Sequence, residues 1–340
     1  MLKIDIVCPV FREEASIEAF HNALLAATTP LADEYEFRYI YTVDPSPPDR
    51  SGEILRAIAD RSDNVTVIEM SRRFGHQAAI IAGIDEAKGD AVVMLDSDLQ
   101  HPPSLIPTLI KHWREGAEIV QALRQDGANI SFGKRVTSRM FYSLFESVTK
   151  IDLNSGAADF RLLSRKVANV FRDQIREHNP FFRGLMTWVG YRIAYVPFVP
   201  DKRFAGRSNY SVAGLMAFAV NGLCSFSKLP LRMCIWLGLL MGISSVVFGS
   251  VALFLYFFVD TVAVPGWASV IALLSFTGGL NLFFLGVLGE YVGLIFDEVK
   301  NRPRYLVGNT YSSGRAETRL APSASTEAPA PVARAQGVLA

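Results

Sequence analysis

The chain has 340 residues, half of them apolar, and its 34 basic and 33 acidic side chains leave a net charge of +1. That balance, without a basic stripe interleaved with aromatics, argues against a nucleic-acid-binding protein. Cys8, Cys224 and Cys234 lack metal-ligand spacing, and their odd number fits a reducing compartment better than a disulfide framework. Residues Met1–Phe11 have no basic segment leading into an apolar core, so they do not read as a signal peptide, and the front of the chain is expected in the cytoplasm.

The first half alternates short β-branched runs with helical periodicity. Strands are predicted at Ile4–Val10, Phe37–Val43, Val65–Met70, Ala91–Leu95 and Ile119–Leu123. Helices are predicted at Ala15–Ala27, Gly52–Arg61, His76–Ala87 and Leu105–Arg114. This rhythm predicts an α/β fold, a doubly wound and mostly parallel sheet. Ligands bind such sheets beyond the carboxyl ends of the strands. Candidate functional residues stand at those ends: Pro9 to Glu13, Asp44, Ser71 to Arg73, and Asp96 to Gln100.

Further along, Phe132, Val136, Met140, Phe141, Leu144 and Val148 repeat at helical spacing among Lys134, Arg135 and Arg139. That pattern suits either a packed soluble helix or one lying on a membrane surface. Ser211–Ser227 is uncharged but short, and reads as interfacial. No residue from Ile235 to Val259 is charged, and none is between Asp260 and Glu290. Each stretch exceeds the roughly 20 residues that cross a bilayer core, so two transmembrane helices are expected. Lys228 and Arg232 precede the first, Lys300, Arg302 and Arg304 follow the second, and the connection near Asp260 has no Lys or Arg. The positive-inside rule then places both termini in the cytoplasm.

The chemistry-bearing motif is Asp96-Ser97-Asp98, which ends an apolar strand. Two carboxylates at this spacing can converge on Mg²⁺ or Mn²⁺, hard cations that bridge protein oxygens to substrate phosphates. Gln100 offers a further oxygen, and Pro102 and Pro103 prepare the next helix.

Several separated blocks resemble the family 2 glycosyltransferases of GT-A fold, and more narrowly the polyprenyl-phosphate glycosyltransferases. They are Ser71–Gln77, Ala82-Gly83, Ala87–Asp90, Asp96–Pro103, Ala158–Leu163, Phe182–Gly184, Arg203–Gly206 and Gly289–Gly293. The resemblance implies a GT-A Rossmann-like domain over residues 1–210, with 131–150 an interfacial helix. It is followed by a juxtamembrane interfacial helix at 211–230, two transmembrane helices within 231–295, a cytoplasmic return at 296–311 and a disordered tail at 312–340. It also implies site roles. Pro9, Val10, Glu13, Asp44, Asp96 and Arg203 would bind the nucleotide sugar. Asp98, Gln100 and Asp96 would hold Mg²⁺ or Mn²⁺, and Asp159 would join Asp96 and Asp98 at the reacting groups. Arg124, Lys134 and Ser138 would hold the acceptor phosphate.

The implied activity is inverting transfer of a sugar to polyprenyl (undecaprenyl) phosphate at the cytoplasmic face of the inner membrane. A UDP-hexose such as UDP-glucose is the expected donor; GDP-mannose, or a non-catalytic scaffold retaining the fold, are the alternatives. The spans leave room for a homo-oligomer. Three segments depart from the family pattern: Phe11-Arg12-Glu13 has Arg where Asn is common, Asp44–Asp49 replaces an acidic Gly-Ser loop, and Ser208-Asn209-Tyr210 lacks the usual lysine.

Overall fold

The computed structural model describes residues 1–125, 156–178, 180–200, 227–258, 266–312 and 315–317. Nine strands form one sheet: β1 (Leu2–Val10), β2 (Tyr35–Val43), β3 (Val65–Met70), β4 (Ala91–Met94), β5 (Ile119–Arg124), β6 (Ala157–Ser164), β7 (Ile193–Phe198), β8 (Val307–Ser312) and β9 (Arg315–Glu317). Their spatial order is β7-β5-β6-β4-β1-β2-β3-β8-β9. The central β3-β2-β1-β4 block is parallel, as is β5 with β7. Strand β6 runs antiparallel between β4 and β5, and β8 runs antiparallel along β3. The five strands expected from periodicity form the middle and one flank of this sheet.

Alternation along β1 explains why both faces are covered. Ile4, Ile6, Cys8 and Val10 face one core with α1 (Ile17–Thr28), α2 (Ser51–Ala59) and α4 (Ile106–Arg114). Val7 faces the other, with α3 (His76–Glu86), α5 (Arg165–Asp173) and α6 (Phe182–Trp188). Helix α3 lies hard against β1: a Cβ on Gly83 would stand 2.1 Å from Val7 Cγ1, so only glycine permits this approach.

Two long helices follow, α7 (Leu229–Phe258) and α8 (Trp267–Lys300). Their most apolar stretches reach a mean hydropathy of 2.0 and none of that length is buried, which makes them candidate membrane spans rather than core helices. On α8 the half-buried residues Thr277, Leu280, Phe284, Val287, Tyr291 and Leu294 recur at spacings of three and four, one face turned to the rest of the chain. The Tyr291 hydroxyl donates to the Ser227 carbonyl at 2.7 Å, tying α8 to the residues that precede α7.

After α8 the chain returns to the sheet. Ser71 N–H donates to the Leu306 carbonyl at 2.8 Å, and β8 then pairs along β3 from Met70 to Thr66. The return segment is therefore partly a strand. Residues Arg315–Glu317, expected within a disordered tail, instead pair with β8. Residues 131–150, 201–226 and 318–340 lie outside the described residues, and with them most of the two expected interfacial helices.

Candidate active site

The carboxyl ends of β1, β2, β3 and β4 point the same way, and the antiparallel β6 begins at that same edge. Three carboxylates expected at the reacting groups meet there: Asp96 and Asp98 follow β4, and Asp159 lies near the start of β6. The Asp98 loop is tightly built. Leu99 is left-handed, with φ 61°, and Asp98 Oδ1 accepts from Gln100 N–H at 3.0 Å. Ser97, buried between the two acids, donates its hydroxyl to the Pro9 carbonyl at 2.9 Å and so fixes the loop to β1.

Basic side chains surround Asp159. Arg161 Nη2 donates to its Oδ1 at 2.5 Å, Arg183 Nη2 stands 3.6 Å from Oδ2, and His76 Nε2 lies 3.9 Å from the same oxygen. Burial opposes ionisation of Asp159, but the guanidinium of Arg161 and then that of Arg183 outweigh it and hold the carboxyl at about 2. His76 Nε2 is also 3.4 Å from Asp96 Oδ1, so one imidazole spans both acids. His101 Nδ1 accepts the Asp96 backbone N–H at 3.2 Å. Asp96 shifts the other way from Asp159. Burial raises its pKa, His76 and His101 counter this in part, and Asp159 and Asp98 add to the rise. Beneath them burial, then Asp96, pushes the Cys8 thiol well up, which keeps it protonated and removes it as a nucleophile.

Not every expected residue presents its side chain here. Val10 lies in the core with only 1% exposure, so what it offers a ligand is backbone. The buried Asp44 carboxylate accepts N–H groups of Phe74 at 2.8 Å and Gly75 at 3.0 Å. It shapes the turn into α3, whose cap Gly75 has φ 97°. Glu13 accepts the Ser16 hydroxyl on its carboxylate and donates its N–H to Ser51 Oγ at 3.0 Å. Arg124 ends β5 at the same sheet edge as Asp159, its N–H donating to the Gly156 carbonyl at 2.7 Å. Lys134, Ser138 and Arg203 lie outside the described residues.

Four groups that sequence reasoning left without a site role complete the cluster: His76, His101, Arg161 and Arg183. Each stands inside a block that carries the family resemblance, which was the signal available. The donor set fits a hard divalent cation. Asp96 Oδ1 is buried and accepts no hydrogen bond among the described residues, and Asp98 and Gln100 nearby in the chain carry further hard oxygens. Among the described residues there is no cluster of three or more His, Cys, Asp or Glu with metal-binding geometry, so any such ion would draw its remaining ligands from Gln100 and the substrate.

A mostly parallel α/β sheet with paired acids after β4 and a third acid on β6 is the architecture of a glycosyltransferase of GT-A fold. The chain belongs to glycosyltransferase family 2, whose model "Glycosyl transferase family 2" matches residues 5–171. It is 38% identical over 310 residues to an uncharacterised glycosyltransferase, YkcC, of Bacillus subtilis, covering 91% of this chain and 94% of that one. It is 35% identical over 314 residues to the bactoprenol glucosyl transferase of Shigella phage SfII, covering 91% of this chain and 99% of the relative. Among solved structures, glucosyl-3-phosphoglycerate synthase from Mycobacterium tuberculosis, with Mn²⁺ and UDP, aligns over 66% of this chain and 78% of its own at 23% identity and a TM-score of 0.44.

Proposed function

We propose that this glycosyltransferase moves a hexose, with UDP-glucose as the leading donor, onto a polyprenyl phosphate at the cytoplasmic face of the membrane. The observation that carries the reading is the meeting of Asp96, Asp98 and Asp159 with His76 and Arg183 at one sheet edge, in a chain bearing two lipid-length helices. The bactoprenol glucosyl transferases, matched along 99% of their own length, support the acceptor class.

The chemistry asks for charge management more than for a base. A phosphate acceptor is already anionic near neutral pH, so no proton need be removed before it attacks the anomeric carbon. Its obstacle is repulsion from the donor diphosphate, which fixed cations at the acceptor side offset. Arg183 stands beside Asp159 for that purpose, and Arg124 lies at the same edge. Asp159 stays ionised against Arg161, which suits an oriented acceptor of a sugar hydroxyl's hydrogen bond better than a proton carrier. Held by Asp98, Gln100 and Asp96, Mg²⁺ or Mn²⁺ would neutralise the charge of the departing diphosphate. Direct displacement then inverts the anomeric centre. Basic residues flank the cytoplasmic ends of both spans (Lys228 and Arg232, Lys300 and Arg302), which supports the orientation.

The test is a donor panel. The detergent-purified chain is given undecaprenyl phosphate, Mg²⁺ or Mn²⁺, and UDP-, GDP- and ADP-hexoses. Transfer of glucose from UDP-glucose to the lipid is the expected result; turnover only with a soluble acceptor overturns the lipid assignment.

A further inference from the structure

The last turn of α8 is clasped to a short stretch of the sheet domain that carries no part of the chemistry above. Glu298 lies eight residues, ~12 Å, past Glu290, the first charge on α8, and so stands clear of the charge-free span. Its carboxylate takes hold of His178: Oε1 accepts the His178 backbone N–H at 2.7 Å, and Oε2 lies 3.3 Å from Nδ1. From the other side, His178 Nε2 donates to the Arg302 carbonyl at 2.6 Å. Between Glu298 and Arg302 the chain reverses through Asn301, whose φ of 45° is a left-handed conformation that asparagine tolerates at a helix end. Both sides of that reversal close on one imidazole.

Neighbouring residues of the same stretch are tied down as well. The Ile175 carbonyl accepts from Arg304 Nη2 at 3.1 Å. Arg176 Nη1 donates to both oxygens of Asp85, at 2.8 and 3.0 Å, and Asp85 also accepts the Tyr305 hydroxyl at 2.8 Å. Ile175 and His178 are thus held directly, and Arg176 through a shared carboxylate, by α8 and the residues just after it.

That stretch leads into the reacting groups. Four residues after His178, Phe182 opens α6, buried and with its ring stacked on Phe171, centroids 5.4 Å apart. The next residue is Arg183, whose Nη2 stands 3.6 Å from Asp159 Oδ2. The position of His178 therefore bears on where α6 begins, and through it on the guanidinium at the acceptor side. A close-packed interior transmits such a displacement rather than absorbing it. A shift of about 1 Å at a positioned group is enough to slow a reaction severely.

We propose that His178 is a positioning residue through which α8, by way of Glu298 and the Arg302 carbonyl, sets Arg183 against Asp159 for the acceptor's phosphate. This deepens the acceptor reading above and rests on it. The end of α8 and the start of α6 form one body, so the cation that meets a lipid's phosphate is referenced to the helix that meets the lipid. An acceptor anchored in a bilayer presents its phosphate at a fixed depth, and a site keyed to α8 meets it with the geometry already set.

The experiment uses the full-length chain in phospholipid nanodiscs, with UDP-glucose and undecaprenyl phosphate as substrates. His178→Ala and Glu298→Ala are expected to raise the KM for undecaprenyl phosphate about 10-fold. The KM for UDP-glucose stays within about 2-fold, which shows the sheet domain intact. Glu298→Gln, which keeps an oxygen for the His178 N–H, stays near the wild type. Adding His178→Ala to Arg183→Gln raises the acceptor KM little beyond Arg183→Gln alone, because the first residue acts through the second. A second measurement is independent of the acceptor. Spin labels at the exposed positions of Trp188→Cys on α6 and Leu282→Cys on α8, with Cys224 and Cys234 replaced by alanine and the buried Cys8 kept, report the distance between the two helices. That distance is expected to be narrowly distributed in the parent and to broaden in His178→Ala and Glu298→Ala. An unchanged distribution, donor and acceptor KM that rise together, or effects of His178→Ala and Arg183→Gln that multiply overturn the proposal. A wild-type chain that transfers no sugar to undecaprenyl phosphate refutes the acceptor proposed above, and the distance distribution then decides the joint by itself.

Discussion

The catalytic sheet and the two long helices are built from the same apolar residue types turned in opposite directions. Ile4, Ile6 and Val93 are fully buried, whereas Ile235, Phe248 and Leu282 on the helices are about 70% exposed. In water the second arrangement would cost about 25 cal/mol for each Å² left wet, which no folded chain sustains over so many residues. The difference is what two regions matched to different solvents would show, and it fits the helices as candidate membrane spans. Within the sheet domain specificity comes from packing and polar pairing; on the outer helix faces lipid tails are as good a neighbour as leucine.

The sharpest break of this contrast is at Arg161, a buried charge whose carboxylate partner among the described residues is Asp159. Arg161→Met leaves Asp159 without its guanidinium and should cost about 3–5 kcal/mol, read as thermal unfolding of the sheet domain. The same variant moves a pH boundary. Asp159 is held below its unfolded value, so its stabilising contribution is present above pH ~4 and is lost as pH falls towards its folded value of about 2. Without Arg161 that loss should begin at higher pH, visible in an acid unfolding titration; an unmoved acid limb would contradict the pairing.

Asp98→Asn should leave the fold and membrane insertion intact and lower transfer by about 10²–10³-fold, the scale of removing one preorganised electrostatic contact. Near-normal transfer from a radiolabelled donor would remove Asp98 from the site. On the lipid-facing side, Leu240→Lys should cost roughly 2.5–3.5 kcal/mol of insertion free energy and reduce the membrane-integrated fraction. Leu240→Val should change nothing measurable, since one apolar surface replaces another. A smaller destabilisation than at Arg161 is expected at Gly83→Ala. Its new methyl overlaps Val7 and should destabilise the α3–β1 contact by about 1–3 kcal/mol, measured by denaturant unfolding.

Much of this was legible before any coordinates. Strands β1 to β5 announce themselves by β-branched runs, and the spans by the absence of charge, because both signals are local. The site is not local. His76, Asp96 and Asp159 come together only because β4 lies between β1 and β6, which no spacing along the chain reveals. Asp44 shows the same limit: nothing in its spacing reveals that its carboxylate accepts the backbone N–H groups of Phe74 and Gly75. Strand β8 carried no periodic signal, since Val307–Ser312 becomes a strand by lying along an edge built some 240 residues earlier.

That edge strand has a further consequence. Because β8 belongs to the same sheet as β7, the two long helices are an excursion between strands of one sheet that are consecutive among the described residues, not an appendage to its end. Cutting the chain ahead of α7 would discard the cover of β3, the Ser71–Leu306 bond and the Tyr305 hydroxyl that donates to Asp85 at 2.8 Å. A water-soluble form would have to be spliced, with a short linker joining the residues before Leu229 to Arg302. Topologically, the pair of candidate spans is a loop of the enzyme.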